Sequence, residues 1–168
     1  CFTIIDNNDG TATITNYDDT CGDKVKIPNT INGLTVTKIA DGTGTGTAAT
    51  GPFTKKNVTT VIMPDTVTYI GNIAFFGTKL KNIKMPSNLK TIKEQAFAFS
   101  LLESVELNDG LETISKEAFT RNNLTTLKIP STVTTLGPGA FTANLIEGDN
   151  AFIYNRNADG SINNTKLN

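Results

Sequence analysis

At 168 residues the chain has the length of one domain, and its formal net charge is −1, from 15 basic and 16 acidic residues. This balance argues against nucleic acid and anionic membranes as partners, because both are bound by a basic surface. The chain has no histidine, which removes the commonest general base and the commonest imidazole metal ligand. An enzyme is therefore not expected, and no cofactor or metal site is predicted.

The N-terminal 22 residues carry the pattern of a β-hairpin. Residues 2–6 and 11–15 alternate apolar and polar side chains, and the Asp9-Gly10 step between them is typical of a tight turn. We predict that residues 1–22 form a hairpin that caps the structure following it. A cap is needed because the end of a stacked repeat otherwise exposes apolar side chains and unpaired strand edges.

Cys1 and Cys21 are the two cysteines of the chain. Three interpretations of Cys1 fit the sequence: a disulfide with Cys21, the lipid-bearing residue of a processed lipoprotein, or an accident of where the sequence starts. A disulfide would indicate an oxidising, exported setting and would add roughly 3 kcal/mol to stability on the chain-entropy account. No charged and apolar leader precedes Cys1, so a trimmed, exported chain is expected.

One short pattern recurs at a fixed spacing through the middle of the chain. Ala-Phe pairs stand at 74–75, 96–97, 118–119 and 140–141, so each lies 22 residues after the one before. Proline keeps this spacing at Pro64, Pro86 and Pro130, with Asn108 in the remaining copy. A strict period of this length predicts stacked repeats, because one such unit cannot bury its own apolar face. We predict about five repeats over residues 23–145, in one structural domain.

The first repeat is stretched by two insertions. Pro28 and Phe53 mark its proline and phenylalanine slots, but extra residues fall near 32–36 and over 41–51. The first insertion contains an Asn-Gly step and predicts a turn. The second is rich in Gly and Thr, and no helix N-terminus follows it. We therefore interpret it as a flexible surface loop and not as a phosphate site.

Within one repeat the spacing assigns each apolar residue a place. Residues 80–85 form a short strand with apolar side chains pointing inward, the following proline ends it, and Leu89 and Ile92 mark a second inward segment. Residues 93–97 suit one helical turn that buries Phe97. The equivalent phenylalanines should then form a core column with neighbours roughly 5 Å apart. These residues are Phe53, Phe75, Phe97, Phe119 and Phe141.

The repeat pattern fades after Phe141. Residues 146–168 contain two apolar stretches on either side of Asp159-Gly160, which predicts a second hairpin. This hairpin either caps the C-terminal coil or begins a further module. No apolar run approaches the roughly 20 residues that span a bilayer, so no transmembrane segment is predicted. A monomer is expected.

The repeat unit resembles the BspA-like class of leucine-rich repeats. It has the form Leu-x-x-Ile-x-Met-Pro-x-x-Leu-x-x-Ile-x-x-x-Ala-Phe, and the match runs from Lys24 to about Leu145. The resemblance implies a right-handed leucine-rich repeat solenoid, mostly β with short helical turns and related to the α/β horseshoe. It also implies a secreted or cell-surface bacterial protein, often adhesive, and supplies no catalytic residues. The asparagine ladder of longer leucine-rich repeats is not kept in the comparable slots, which hold Thr66, Asn88, Gly110 and Thr132.

The outward strand positions are the candidate binding residues. By register they form the column Lys26, Ile62, Lys84, Glu106 and Lys128, with Asn82 and Thr126 among the residues beside it. Three lysines make this a mildly basic strip, although any single residue at such a position is more often an ordinary solvated strand residue. Solenoids commonly bind partners on such extended surfaces. We predict a non-catalytic adhesion module that recognises an extracellular or host protein or a polysaccharide.

Two other functions are considered. A passive spacer or stalk within a larger surface protein is the alternative, although five coils at about 4.8 Å extend only some 24 Å. A hydrolase using Glu94 and Glu117 is disfavoured, because these carboxylates stand at different phases of the repeat and do not form a matched pair in an evident cleft.

Overall fold

The chain folds as a β-solenoid of about five coils. The computed structural model describes residues 1–147 and, beyond them, the strand segments Phe152–Arg156 and Ile162–Lys166. Two stacks of short parallel strands and one stack of turns form the sides of the solenoid. The apolar core lies between these three sides. The predicted solenoid of about five repeats is confirmed.

The strands are short and evenly distributed along the chain. In order they are β1 (Phe2–Asp6), β2 (Thr11–Tyr17), β3 (Lys24–Lys26), β4 (Thr30–Ile31), β5 (Leu34–Ile39), β6 (Thr60–Ile62), β7 (Tyr69–Ile70), β8 (Asn82–Lys84), β9 (Thr91–Ile92), β10 (Ser104–Glu106), β11 (Thr113–Ile114), β12 (Thr135–Leu136), β13 (Phe152–Arg156) and β14 (Ile162–Lys166). Helix in the described part of the chain is limited to the 3-10 segments Asp19–Cys21 and Gly46–Ala48.

The N-terminal residues form the predicted hairpin. β1 and β2 pair antiparallel, and Gly10 takes a φ of 81° in the turn between them. β2 then pairs in parallel with β5, so that the hairpin continues the sheet of the first coil. A disulfide joins Cys1 to Cys21, with Cα atoms 5.8 Å apart, as one of the three interpretations required.

The first stack of strands is divided into two sheets. β3 pairs in parallel with β6, and β8 pairs in parallel with β10, but no ladder joins β6 to β8. A proline follows two residues after β3, β6 and β8, and it ends each strand because it has no N–H to donate. Residues 126–128 of the last coil are not in a strand.

The second stack of strands is continuous. β5, β7, β9, β11 and β12 pair in parallel, one from each coil. β4 folds back on β5 through Asn32 and Gly33, whose φ angles are 52° and 81°, so the predicted turn in the first insertion is confirmed. Together with β1 and β2 these strands make an eight-stranded sheet.

The third side is a stack of turns, and here the predicted helical turn is wrong. Residues 94–99 form consecutive turns. Ala96 and Ala98 donate their N–H groups to carbonyls three residues back, whereas Gln95 and Phe97 donate theirs to carbonyls of the next coil. Gln95 has a left-handed φ of 52°, which a right-handed helix cannot contain. Backbone N–H groups that would bond within a helix therefore bond instead to the neighbouring coil.

Phenylalanine rings form the predicted column through the core. Successive centroids from Phe53 to Phe141 are 4.5, 5.0, 5.2 and 5.1 Å apart, and the rings are within 8° of parallel. All five rings are buried. Tyr17 stacks on Phe53 at 5.4 Å, and Phe2 contacts Tyr17 at 5.4 Å. The column thus runs into the hairpin and ties it to the solenoid.

A polar ladder is present, but in a different slot from the one compared in the sequence. Four polar residues stand three positions after successive core phenylalanines: Thr78, Ser100, Asn122 and Asn144. The buried amide of Asn122 donates to the carbonyls of Phe97 at 2.9 Å and Phe119 at 3.0 Å, and its oxygen accepts from the N–H of Leu102 at 3.0 Å. Thr66, Asn88, Gly110 and Thr132 are therefore not the ladder. The carbonyls to be paired belong to the core phenylalanines, so the residue that donates to them stands just after a phenylalanine and not just after a proline.

The second insertion folds back on the solenoid. Thr43 and Thr50 exchange backbone hydrogen bonds of 2.7 and 2.8 Å across the loop. The Lys55 ammonium donates to two carbonyls of the loop, at 2.6 and 3.2 Å. Ala49 is buried in a small apolar cluster with Ile73. The predicted flexible surface loop is therefore wrong for this part of the insertion, because the loop packs on the solenoid and buries Ala49.

The C-terminal strands pair as expected for a hairpin. β13 and β14 are antiparallel, with Tyr154 opposite Asn164. Residues 148–151 and 157–161, which include the predicted Asp159-Gly160 turn, lie outside the described residues. The division of the chain into a cap over 1–22, repeats over 23–145 and a second cap over 146–168 stays a prediction.

Candidate binding face

The first stack of strands presents a polar outer surface, which we call the strand face. In β3, β6 and β8 the middle residues Val25, Val61 and Ile83 are buried, and the residues on either side are exposed. This alternation follows from the two-residue period of a strand. The strand face consists of the outward residues 24, 26, 60, 62, 82, 84, 104 and 106.

Every predicted binding residue is exposed: Lys26, Ile62, Asn82, Lys84, Glu106, Thr126 and Lys128. The structure brings them together in two pairs. Lys26 lies opposite Ile62 in one sheet, and Lys84 lies opposite Glu106 in the other. The continuous column that the register predicted is interrupted between these sheets, and Lys128 lies outside any strand.

An ion pair occupies the centre of the strand face. The Lys84 ammonium is 2.6 Å from the Glu106 carboxylate, and this hydrogen bond together with the opposite charge raises the pKa of Lys84. Ser104 donates its hydroxyl to the Asn82 side-chain oxygen at 2.7 Å. The expected basic strip is therefore neutralised at its middle. Lys26 and Lys128 form no ion pair within the described residues.

Two shallow grooves run over these residues. One of about 410 Å³ is lined by Asn82, Lys84, Ser104 and Glu106, with Ile83 and Val105 between them. A second of about 390 Å³ shares Lys84 and Glu106 and extends along Asp65, Ser87, Asn108 and Asp109.

Asp65 fixes one edge of the second groove. Its carboxylate accepts the backbone N–H of Ser87 at 2.7 Å, and this hydrogen bond lowers the pKa of Asp65. Asn108, which replaces the repeat proline, donates its amide to the carbonyls of Ser87 at 3.1 Å and Leu89 at 2.9 Å. The groove thus offers charges of both signs and backbone-anchored polar groups, which suits recognition of a polar surface.

Sequence reasoning missed a third groove, on the other strand stack. It measures about 400 Å³ and is lined by residues that include Lys38, Asp41 and Tyr69. The Tyr69 hydroxyl donates to the Asp41 carboxylate at 2.9 Å, and burial together with this acceptor raises the pKa of Tyr69 to about 12. Asp41 lies in the second insertion, so no repeat register could place it beside Tyr69. The one hint in the sequence was that the insertion begins just after β5, the strand that pairs with the strand of Tyr69.

The carboxylates considered for a hydrolase are close together but engaged. The Lys116 ammonium lies 3.5 Å from Glu94 and 3.9 Å from Glu117. Glu117 also accepts the Gln95 amide at 2.5 Å. A glycosidase would need one carboxyl free as an acid, whereas both of these face an ammonium.

The described residues contain no group of three or more His, Cys, Asp or Glu side chains placed to hold a metal ion. Nor does any helix among them have the length and apolar character needed to cross a bilayer.

The repeats match a known family and two known structures. Residues 49–155 match the family described as BspA type leucine rich repeat region, in six copies. A leucine-rich repeat protein of T. pallidum has a TM-score of 0.69 and 25% identity, with 86% of this chain and 66% of that chain covered. One from Bacteroides ovatus ATCC 8483 has a TM-score of 0.66 and 26% identity, with 87% and 38% covered.

This chain therefore spans less than two thirds of the length of these two proteins. No curated protein is significantly similar to it in sequence. The family match covers more than half of the chain and includes the coils from Phe53 onward. The chain belongs to the BspA-type leucine-rich repeat family.

Proposed function

We propose that the chain is a non-catalytic binding module of an exported bacterial surface protein, and that it recognises an extracellular protein or polysaccharide through its strand face. One observation carries the proposal: the groove between β8 and β10 is lined by exposed polar side chains whose positions are fixed by one another. Such preorganised groups lose little freedom when a partner binds.

The composition of the strand face favours a polar partner. Lys84, Glu106, Asn82 and Ser104 supply donors and acceptors within one groove, and Ile62 adds an apolar contact at 58% exposure. A surface of this kind forms many hydrogen bonds over a shallow area, as expected for a folded protein surface or a glycan chain.

The disulfide supports the exported setting. Disulfides form and persist in oxidising compartments and are rare in the cytosol. The Cys1–Cys21 bond holds the hairpin that extends the aromatic column, so it has a structural role. A monomer remains the expected state, and light scattering of the purified chain measures it directly.

The proposal is tested by substitution of two predicted binding residues, Lys84 within the strand face and Lys128 in the coil that follows β10. Lys84→Glu places two carboxylates where an ion pair stood, and Lys128→Glu reverses the charge at the end of the column. Binding is measured by surface capture on an array of extracellular matrix glycoproteins and purified polysaccharides. We expect the double variant to weaken binding to the captured probe by about tenfold or more, since rim charges and buried polar contacts each contribute.

Lys90→Glu is the matched control. Lys90 pairs with Glu112 at 2.9 Å between the same two coils that Lys84 and Glu106 join, but it lies beside β9 on the other strand stack. This variant loses the same kind of ion pair away from the strand face, and we expect it to bind as wild type. Equal binding by all variants would refute the proposal.

A spacer is the second candidate: the small share of its longer relatives that the chain covers favours it, whereas the short reach of the coils argues against it. The four ring-to-ring steps from Phe53 to Phe141 are 4.5 to 5.2 Å, so the coils extend about 20 Å. The chain also spans only 38% of the Bacteroides ovatus protein. A spacer predicts no capture by any probe on the array, which separates the two functions.

A further inference from the structure

The corner that follows the core residue Phe97 carries an exposed aromatic residue with a left-handed backbone. Phe99 is 46% exposed and has a φ of 55°. The equivalent residues of the other coils also have left-handed φ angles, between 55° and 67°, so this backbone conformation belongs to the repeat: Lys55, Gly77, Arg121 and Ala143. Phe99 differs from them in exposing a large aromatic side chain, which is uncommon at a protein surface.

Two neighbours hold the Phe99 ring in place. Arg121 occupies the same slot one coil further on, and its guanidinium carbon lies 5.2 Å from the centroid of the Phe99 ring. The buried ring of Phe76 packs against Phe99 at 5.1 Å with a tilt of 43°. Cation–π and aromatic contacts therefore order the ring before any partner arrives. Leu101, 44% exposed, extends the apolar surface two residues beyond.

The charge of this corner has a single sign. Segments 54–57, 76–79, 98–101, 120–123 and 142–145 follow the core phenylalanines and contain no Asp or Glu, although the whole chain has more acidic than basic residues. Their cations are Lys55, Lys56, Lys79 and Arg121. All ion pairs of the described residues lie outside these segments. Lys79 stands one coil before Leu101, and Arg121 one coil after Phe99.

We propose that Phe99, Leu101 and Arg121 form a second docking surface, the aromatic corner, and that its occupant is an extended acidic segment of a partner protein. Aromatic and arginine side chains dominate the binding energy of protein interfaces. Cations on both sides of an apolar pair complement a segment in which carboxylates flank an apolar residue. In an extended chain, residues at alternate positions share a face, so the fitting pattern is acidic, any, apolar, any, acidic.

The exposed part of the corner favours a protein segment over a sugar. Arg121 lies over one face of the Phe99 ring, which leaves less of the ring for stacking on a pyranose. The remaining ring edge and Leu101 suit an aliphatic or aromatic side chain. No residue of the strand face lies in the corner segments, so this surface goes beyond the function proposed above.

The test uses the full chain and two fluorescent peptides, with binding followed by anisotropy. One peptide contains Asp-Thr-Leu-Thr-Asp and the other Lys-Thr-Leu-Thr-Lys. We expect the acidic peptide to bind at least about tenfold more tightly than the basic one, and added salt to weaken it. Phe99→Gly and Arg121→Ser should each weaken binding about fivefold or more. Phe99→Gly should leave the Tm within about 3 °C of wild type, because glycine suits the left-handed backbone.

Leu145→Ser is the matched control for Leu101→Ser. Leu145 is an exposed leucine in the same repeat slot, two coils on, but it is not adjacent to the Phe99 ring. We expect Leu101→Ser to weaken peptide binding and Leu145→Ser to leave it unchanged. Lys84→Glu should also leave it unchanged, which separates this surface from the strand face.

Three outcomes would overturn the proposal. They are equal or absent binding of the two peptides, acidic-peptide binding that survives Phe99→Gly and Arg121→Ser, and binding of a carboxylated polysaccharide such as polyguluronate with no binding of the acidic peptide.

Discussion

Truncating one ring of the core column should destabilise the protein more than any surface change. Phe97 is fully buried, with the Phe75 ring 5.0 Å away on one side and the Phe119 ring 5.2 Å away on the other. Phe97→Ala removes the transfer energy of the ring and leaves a cavity, which together cost about 3–5 kcal/mol. Two ring pairs worth about 0.5–1.5 kcal/mol each beyond burial are lost as well.

The cost of Phe97→Ala should therefore lie near the top of its range. A loss of about 4–5 kcal/mol corresponds to a fall in Tm of roughly 10–15 °C for a chain of this size. Urea unfolding followed by circular dichroism measures the free energy of unfolding, and a thermal melt measures the Tm. Phe97→Leu keeps most of the volume but loses both ring pairs, so it should cost about 1–2 kcal/mol.

Phe99→Ala is the matched control, because the same residue type is half-exposed only two positions away. Its loss removes one ring pair and one cation–π contact but leaves no buried cavity, so it should cost about 1–2 kcal/mol, well below Phe97→Ala. If Phe97→Ala melted like wild type, or like Phe99→Ala, the continuous column would not hold the coils together, and the reasoning would be refuted.

Three further changes test other parts of the structure. Asn122→Ala leaves two carbonyls and one N–H in the core without their side-chain partner, so it should lower the free energy of unfolding in urea by about 3 kcal/mol. The control Asn123→Ala changes an exposed neighbour and should cost under about 0.5 kcal/mol. Equal effects of the two variants would contradict the ladder. Reducing the Cys1–Cys21 bond should lower the free energy of unfolding by about 3 kcal/mol, which is measured as a lower Tm in dithiothreitol. The control, Cys1→Ser with Cys21→Ser, should melt at the same temperature with and without reductant. A wild-type Tm that does not change in reductant would show that the disulfide does not stabilise the fold. The pKa of Tyr69 is raised from 10.0 to about 12 in the folded chain, so the folded state holds this proton more tightly and stability should fall as pH rises from about 10 to 12. Tyr69→Phe should remove this part of the fall in stability. An ultraviolet titration in which all tyrosines ionise near pH 10 would contradict the prediction.

The apolar side of the fold was predictable because every equivalent residue meets its own counterpart. Because the period is 22 residues, a buried Phe75 requires a buried Phe97 in the next coil. In the same way Leu80 and Ile92 each lie against a buried residue 22 positions later. The ends of β3, β6 and β8 followed from the repeat prolines. The hairpin followed from its turn residues and alternation, since both are local in the sequence.

Hydrogen bonding was less predictable, because its partners lie in the next coil. Residues 93–97 have a pattern compatible with a helical turn, and only the neighbouring coil shows that the Gln95 and Phe97 amides donate outward. The ladder at Asn122 was missed for the same reason, since the sequence does not say which carbonyls stacking leaves unpaired. The exposure of the candidate binding residues was predicted, but the sheet that carries them is divided between β6 and β8.

The amino-acid sequence by itself determined that the apolar slots of the repeat are buried, because a fixed period with apolar residues in fixed slots allows one way of stacking. The tertiary structure alone decided which charges pair, where the strand ladder breaks, and that Asp41 of an insertion lies under the Tyr69 hydroxyl. The physical reason is that burial depends on the pattern within one repeat, whereas ion pairs and hydrogen bonds depend on the distance between atoms of two different coils.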